Sequence, residues 1–222
     1  MRYLDLLTAL FTTVLLVSNV ASTKLVVLGP FTFDGGTLLF PLAYIFGDVL
    51  TEVYGYRKSR RVIWIGFFAL LLATLTFQAV AHLPAPPDAE SERLGEAFGL
   101  LLGLTPRIVL GSLLAYFLGE FANAYVLAKL KVRTEGRFFW LRALASTLVG
   151  QGLDTGVFLL VAFYGVFPSE VLLAVFLSNY AFKLGVEALM LPFTYAVVGF
   201  LKRAEGMDAY DRDTDFNPFR LT

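Results

Sequence analysis

The chain has 222 residues, 57% of them hydrophobic and 16% charged, with a mean hydropathy of +0.70; a soluble domain is roughly 45–50% apolar and about 25% charged. The excess points to a protein whose solvent is lipid, and eighteen basic against eighteen acidic residues leave no bulk charge for nucleic acid. With no Cys and a single His, disulfides and thiol chemistry are excluded, no cofactor is expected, and a zinc site would have to be built almost wholly from carboxylates.

Stretches of the roughly 20 apolar residues that a helix needs to cross the hydrocarbon core occur six times. They run from Leu4 to Thr23, Leu38 to Tyr54, Val62 to Leu83, Ile108 to Leu130, Leu144 to Phe167 and Val171 to Leu201. The first has Arg2 ahead and Ala21-Ser22 behind, as a signal peptide would. Its apolar run is too long for a signal core, however, and Asp5 spoils the basic leader. Gly29-Pro30 and Asp34-Gly35-Gly36 predict a turn between spans 1 and 2. Residues 84–105 form the longest connection, opening on Pro84, Pro86 and Pro87. In it Leu94, Phe98, Leu101 and Leu102 recur at helical spacing, which predicts a short interfacial helix. No function attaches to the acidic, Pro-rich part of that loop. The reading is an all-α polytopic membrane protein with six transmembrane helices in residues 1–203 and a polar cytoplasmic tail over 204–222.

Basic residues orient it. Arg57, Lys58, Arg60 and Arg61 fall between spans 2 and 3. Lys129, Lys131, Arg133, Arg137 and Arg142 fall between spans 4 and 5. Arg2, Lys202, Arg203, Arg212 and Arg220 lie at the ends. Fourteen of the eighteen thus share one side, against Lys24, Arg93 and Arg107 on the other. Both termini are expected in the cytoplasm, in a cell (inner) membrane.

Ionisable groups inside the spans carry the functional expectation. Span 2 holds Asp48 and Glu52, span 4 Glu120 and Asn123, span 5 Gln151 and Asp154, and span 6 Lys183 and Glu187. Span 1 adds Asn19, with Lys24 just beyond it, and span 3 adds Gln78. A charge at a helix centre costs about 2.5–3.5 kcal/mol on insertion scales, so these groups must converge on a protein interior or a wet cavity. Asp48 and Glu52 are one helical turn apart, as are Lys183 and Glu187. Lys183 is the cation at that depth and is expected to pair with Asp154 or Glu187. Against this stand structural readings: interhelical hydrogen bonding for Asn19, Asn123, Asn179 and Gln78, solvation at the cytoplasmic end for Glu52, ion pairing for assembly at Glu120, and a packing ion pair among Asp48, Asp154 and Lys183. Pro192 and Gly185 weaken span 6 beside the charges. Ser18-Asn19 and Ser178-Asn179 echo each other, too briefly to define a repeat.

Ser18-Asn19-Val20-Ala21-Ser22-Thr23-Lys24, Phe40-Pro41-Leu42, Asp48-Val49-Leu50-Thr51-Glu52-Val53-Tyr54-Gly55-Tyr56 and Arg60-Arg61 together resemble the queuosine-precursor transporter family, a group of vitamin-uptake-type membrane proteins. Gln151, Asp154 and Val157-Phe158, then Lys183 and Pro192, resemble it too, with no departure in these motifs. The resemblance implies six helices and uptake of a 7-deazaguanine such as 7-cyano-7-deazaguanine or 7-aminomethyl-7-deazaguanine. Its motif residues fall on Asn19, Lys24, Asp48, Glu52, Gln151, Asp154 and Lys183. With Glu187 from the charge pattern, these form the expected substrate site. A guanine-like edge sets two donors beside a carbonyl, which carboxylates and an amide or lysine can match. Phe40, Tyr44, Tyr54 and Phe158 are candidate aromatic faces.

Two other readings remain open from the residues. One is a substrate-binding subunit of an energy-coupled vitamin transporter, since the chain has no Gly-x-x-x-x-Gly-Lys loop of its own. The other is an intramembrane aspartyl-type enzyme, though Ile45-Phe46-Gly47-Asp48 lacks a Gly-x-Gly-Asp motif and Leu153 precedes Asp154; the expectation is not an enzyme. Gly- and Ala-rich faces of span 5 can pack a homodimer.

Overall fold

The computed structural model describes residues 1–28, 31–104 and 106–220. Seven helices occur among them: α1 (Leu4–Ala21), α2 (Phe40–Tyr54), α3 (Tyr56–Ala81), α4 (Ala89–Leu102), α5 (Pro106–Arg133), α6 (Phe139–Phe163) and α7 (Ser169–Glu205). Five of these, α1, α3, α5, α6 and α7, are long and apolar enough to cross a membrane, so the chain is a polytopic helical protein. α4 buries none of its residues. Asp88 caps it, accepting from Ser91 N at 2.9 Å, and Gln78 on α3 donates to the Leu104 carbonyl.

One element was not anticipated. β1 (Leu25–Leu28) and β2 (Phe31–Asp34) pair antiparallel, Leu25 opposite Asp34 and Leu28 opposite Phe31. A 3₁₀ turn (Gly35–Leu39) leads from them into α2. Gly29 and Pro30, read as part of the turn, lie outside the described residues.

The helices also run further at their basic ends than the apolar windows do. α3 begins at Tyr56, α5 continues to Arg133, α6 begins at Phe139 and α7 continues to Glu205. Arg57, Lys58, Arg60, Arg61, Lys131, Arg142 and Lys202 therefore sit on helices, not in loops. A hydropathy window stops at the first charge, whereas a helix stops where the backbone is capped. α7 ends at Gly206, whose φ of +61° is the left-handed geometry of a helix C-cap.

α2 and α3 meet at a single residue, Gly55 (φ 80°, ψ 167°). Its positive φ favours glycine, and a Cβ there would press on Ala209 and Asp211. Those two belong to the segment after α7, which the sequence places in a separate tail. Instead it lies across the basic end of the helices as a strap. Asp211 accepts from Tyr56 N at 2.9 Å, so the strap supplies the N-terminal cap of α3. Arg60, 2% exposed, donates to the Asp215 and Asn217 carbonyls at 2.9 and 2.6 Å. Trp64 Nε1 donates to Pro218 O at 2.8 Å. Phe216 packs on Tyr56, and Phe219 stacks on Phe117.

α5 and α6 form the tightest helix pair. A Cβ on Gly119 would come within 2.8 Å of the Asp154 Cβ, and one on Gly150 within 2.8 Å of the Asn123 Cβ. These glycines let two backbones touch and set the height of Asp154 and Asn123. Gly150, on the span expected to pair two chains, is thus engaged within one chain. The buried apolar core, with Val49, Val53, Leu127, Ala143 and Leu201, lies toward the basic end.

Candidate functional site

The ionisable residues expected to converge inside the spans separate into three tiers. The uppermost, toward the end away from the basic residues, borders a cavity of about 440 Å³ between α1, α3, α5, α6 and α7. Its walls include Asn19 on α1, Tyr116 on α5, Asp154 and Phe158 on α6, and Asn179 and Lys183 on α7. Lys183 Nζ lies 3.0 Å from Asp154 Oδ2, 3.0 Å from Gln151 Oε1 and 3.3 Å from Thr155 Oγ1. The Asp154 and Lys183 side chains are 30% and 17% exposed, and both line the cavity, so the ion pair is open to it. Tyr116 donates to Ile63 O at 3.0 Å, which fixes its ring in the wall. Of the expected aromatic faces, Phe158 lines this cavity, whereas the Tyr54 hydroxyl donates to Glu205 at the opposite end, 2.9 Å away. The side chains of Phe40 and Tyr44 lie outside the described residues. Lys24 is exposed beyond α1, where its carbonyl accepts from Gly35 N at 2.7 Å, and it is not among the cavity walls.

The middle tier is buried and rich in acceptors. Asp48 on α2 is 3% exposed and meets Asn123 Nδ2 only at 3.5 Å. Glu120 on α5 stands within electrostatic reach of both Asp48 and Asp154. Glu187 on α7, 4% exposed, faces Thr147 and Asp48, and neither of its oxygens closes a geometrically sound hydrogen bond. Lys183 is paired with Asp154, one of its two expected partners. Glu187, the other, belongs to this lower tier although it is on the same helix.

The third tier closes the basic end. Glu52, 1% exposed, receives Arg142 Nη1 at 2.5 Å and Nη2 at 3.2 Å, a two-pronged contact. Lys202 Nζ reaches its Oε1 at 2.7 Å. Lys131 Nζ donates to the Glu52 carbonyl at 2.5 Å and lies 3.5 Å from Oε1. Asp208 from the strap bridges Lys131 and Lys202. Arg142 also donates to Gly136 O and Arg137 O, each at 3.0 Å. Burial pushes the Asp208 carboxyl up, but its hydrogen bonds from Lys131 and Lys202 outweigh that and hold it below the ordinary carboxylate value. So although Asp48 and Glu52 share a helix face, Glu52 is saturated by three cations while Asp48 faces the middle tier.

Sequence reasoning missed Arg142, Lys131 and Lys202 as partners of Glu52, and Asp208 as the bridge between the two lysines, because each counted as a loop or tail charge. The signal was that Lys131 and Arg142 lie within a turn or two of an apolar span, where a helix continues. Asn179, an interhelical hydrogen-bond donor on the sequence reading, lines the cavity.

Comparison with known proteins gives this arrangement a context. Residues 34–197 match the family described as "Putative vitamin uptake transporter". A Bacillus subtilis protein named "Probable queuosine precursor transporter" is 36% identical over 81% of this chain and 77% of its own length. The Escherichia coli "Queuosine precursor transporter" is 25% identical over 73% of this chain and 71% of its own. A Haemophilus influenzae relative named "Probable queuosine precursor transporter" is 26% identical over 73% and 67%. No solved structure matches the chain. With residues 34–197 matched by the family and 81% of its length aligned with a relative at 36% identity, the chain belongs to the vitamin uptake transporter family.

Proposed function

We propose that this protein imports a queuosine precursor, a 7-deazaguanine base, across the cell membrane, and that its structure is the outward-open state. The observation that carries the reading is the cavity of about 440 Å³ with the accessible Asp154–Lys183 pair on its wall, in a chain whose relatives are named for this cargo. A guanine-like edge offers a ring N–H and an amine to Asp154, and its carbonyl to a donor such as Lys183. The buried Glu52 network on the other side supports a closed cytoplasmic gate, since it ties α2, α5, α6 and α7 together. Asp154 is matched with a lysine rather than with a second carboxyl, which favours binding over an acid–base dyad. Within this reading Asn19, Gln151, Asp154 and Lys183 form the outer site. Asp48 and Glu187 act at the next depth, and Glu52 acts as the gate.

Six spans complete the proposal. α2 has 15 residues, about 22 Å of helix. The preceding five-residue 3₁₀ turn adds about 10 Å, and together they match a hydrocarbon core of about 30 Å. Both termini then lie on the cytoplasmic side with the basic residues.

The test is uptake of labelled 7-aminomethyl-7-deazaguanine into liposomes holding the purified chain alone, with and without a pH gradient. We expect saturable uptake that Asp154→Asn and Lys183→Ala abolish while both variants remain monodisperse. Full uptake by both variants would sink the site, and uptake that requires an added ATPase would show a binding subunit instead.

A further inference from the structure

The cavity holds two carboxamides that the ion pair does not use. On α1 the wall is Leu15, Asn19 and Ser22, and on α7 it includes Val175, Asn179 and Lys183. Each asparagine is therefore central to the inward face of its helix. Asn179 lies one turn, about 6 Å, nearer the mouth than Lys183. Among the described residues neither amide makes a hydrogen bond. An amide without a partner is costly in hydrocarbon, so water or cargo must satisfy both. α7 is fixed in rotation against α6 just beyond Asn179, where Tyr180 donates to Leu148 O at 2.7 Å and Lys183 holds Asp154 and Gln151. Asn179 is thus held facing the cavity.

The chemistry of the cargo suggests what such an amide reads. If Asp154 accepts from the ring N–H and amine of a 7-deazaguanine, the far edge of the base remains. There a ring nitrogen acceptor lies beside the pyrrole N–H donor. A primary amide carries one donor side and one acceptor side in a plane and matches that pair with two parallel hydrogen bonds, as asparagine does on an adenine edge. We propose that Asn179, with Asn19 on the opposite wall, is a specificity-determining residue that reads this acceptor–donor edge. It admits the free base and rejects bases substituted on the pyrrole nitrogen, nucleosides included. A substituent there removes the donor and leaves the amide carbonyl unmatched, and such mismatches discriminate strongly.

This inference rests on the proposed cargo, and one experiment separates the two. Full-length protein in liposomes takes up labelled 7-aminomethyl-7-deazaguanine in competition with the unlabelled base or its derivative methylated on the pyrrole nitrogen. We expect the methylated compound to compete about 10- to 100-fold less well against wild type. In Asn179→Ala that ratio should narrow to about threefold or less, with the base itself bound about tenfold more weakly. Asn179→Gln, which keeps the amide, should retain part of the preference. Equal competition by the two compounds in wild type overturns the proposal whether or not the variants fold, and so does an undiminished ratio in Asn179→Ala. Wild type that takes up no 7-deazaguanine overturns the cargo assignment, and the role of Asn179 with it.

Discussion

Glu52 and Asp154 are both carboxylates inside a span, yet their surroundings give them opposite behaviour. Glu52 is 1% exposed and is met by Arg142, Lys131 and Lys202, whereas Asp154 is 30% exposed on the cavity wall and has one cation. Lys131 and Lys202 would still face Glu52 without Arg142, but the two-pronged contact and the donors to Gly136 O and Arg137 O would be gone, and a buried group left unsatisfied costs about 1–3 kcal/mol. Arg142→Ala should therefore lower the melting temperature in detergent; Arg142→Lys should lower it less, because it keeps the positive charge, yet still below wild type, because a lysine cannot reproduce the two-pronged contact. Equal stability of wild type and Arg142→Ala would refute this. Asp208 supplies a pH prediction. Its carboxyl is held low in the folded state, so its contribution is complete above the unfolded carboxylate pKa of about 4 and is lost as pH falls through the lower folded value. Acidification below about pH 4 should loosen the strap, and Asp208→Asn should flatten that acid limb of a stability–pH curve.

Among the elements, the strap is the one whose role a linear reading hides. Its charges, Asp208, Asp211, Asp213 and Asp215, suggest a solvated tail. Its backbone carbonyls and Asp211 nonetheless satisfy Arg60, Trp64 and the start of α3. Asp211→Ala should cost about 1 kcal/mol as a lost cap. Truncation after Gly206 should cost more and shift Trp64 emission to the red, measured in a Trp140→Phe background. An unshifted spectrum with unchanged melting would show that the strap does not hold α3. The α5–α6 crossing makes the complementary case. Gly150→Leu forces a side chain into the Asn123 backbone, and overpacking of this kind costs about 1–3 kcal/mol or more. Loss of folded protein on size-exclusion chromatography is expected.

At the scale of the whole molecule, the outward-open reading predicts accessibility. The chain has no Cys, so single cysteines report cleanly. Ala85→Cys and Ser112→Cys should be labelled by an impermeant maleimide from outside the cell, and cargo should protect Ser112→Cys, which lines the cavity. Thr134→Cys should be labelled only after permeabilisation. Labelling of Thr134→Cys in intact cells would invert the topology.

The long apolar helices, the side on which the basic residues gather and the identity of the intramembrane charges were legible in the sequence, because hydropathy and burial cost are local properties of a chain in lipid. So was the pairing of Lys183 with a neighbouring acid, since a cation at that depth cannot stand alone. The β1–β2 hairpin was not legible, because its short apolar strands lie between spans and carry no length signal. Nor was the division of the charges into tiers. Helical spacing puts Asp48 beside Glu52 and Lys183 beside Glu187, but which neighbour each one meets depends on the rotation and height of other helices. Gly119 against Asp154 and Gly150 against Asn123 set that height. The sequence by itself therefore determined that charges are held inside a membrane. Only the tertiary structure decided that Asp154 and Lys183 border a cavity while Glu52 is buried among three cations, because Lys131, Arg142 and Lys202 reach it from positions far along the chain.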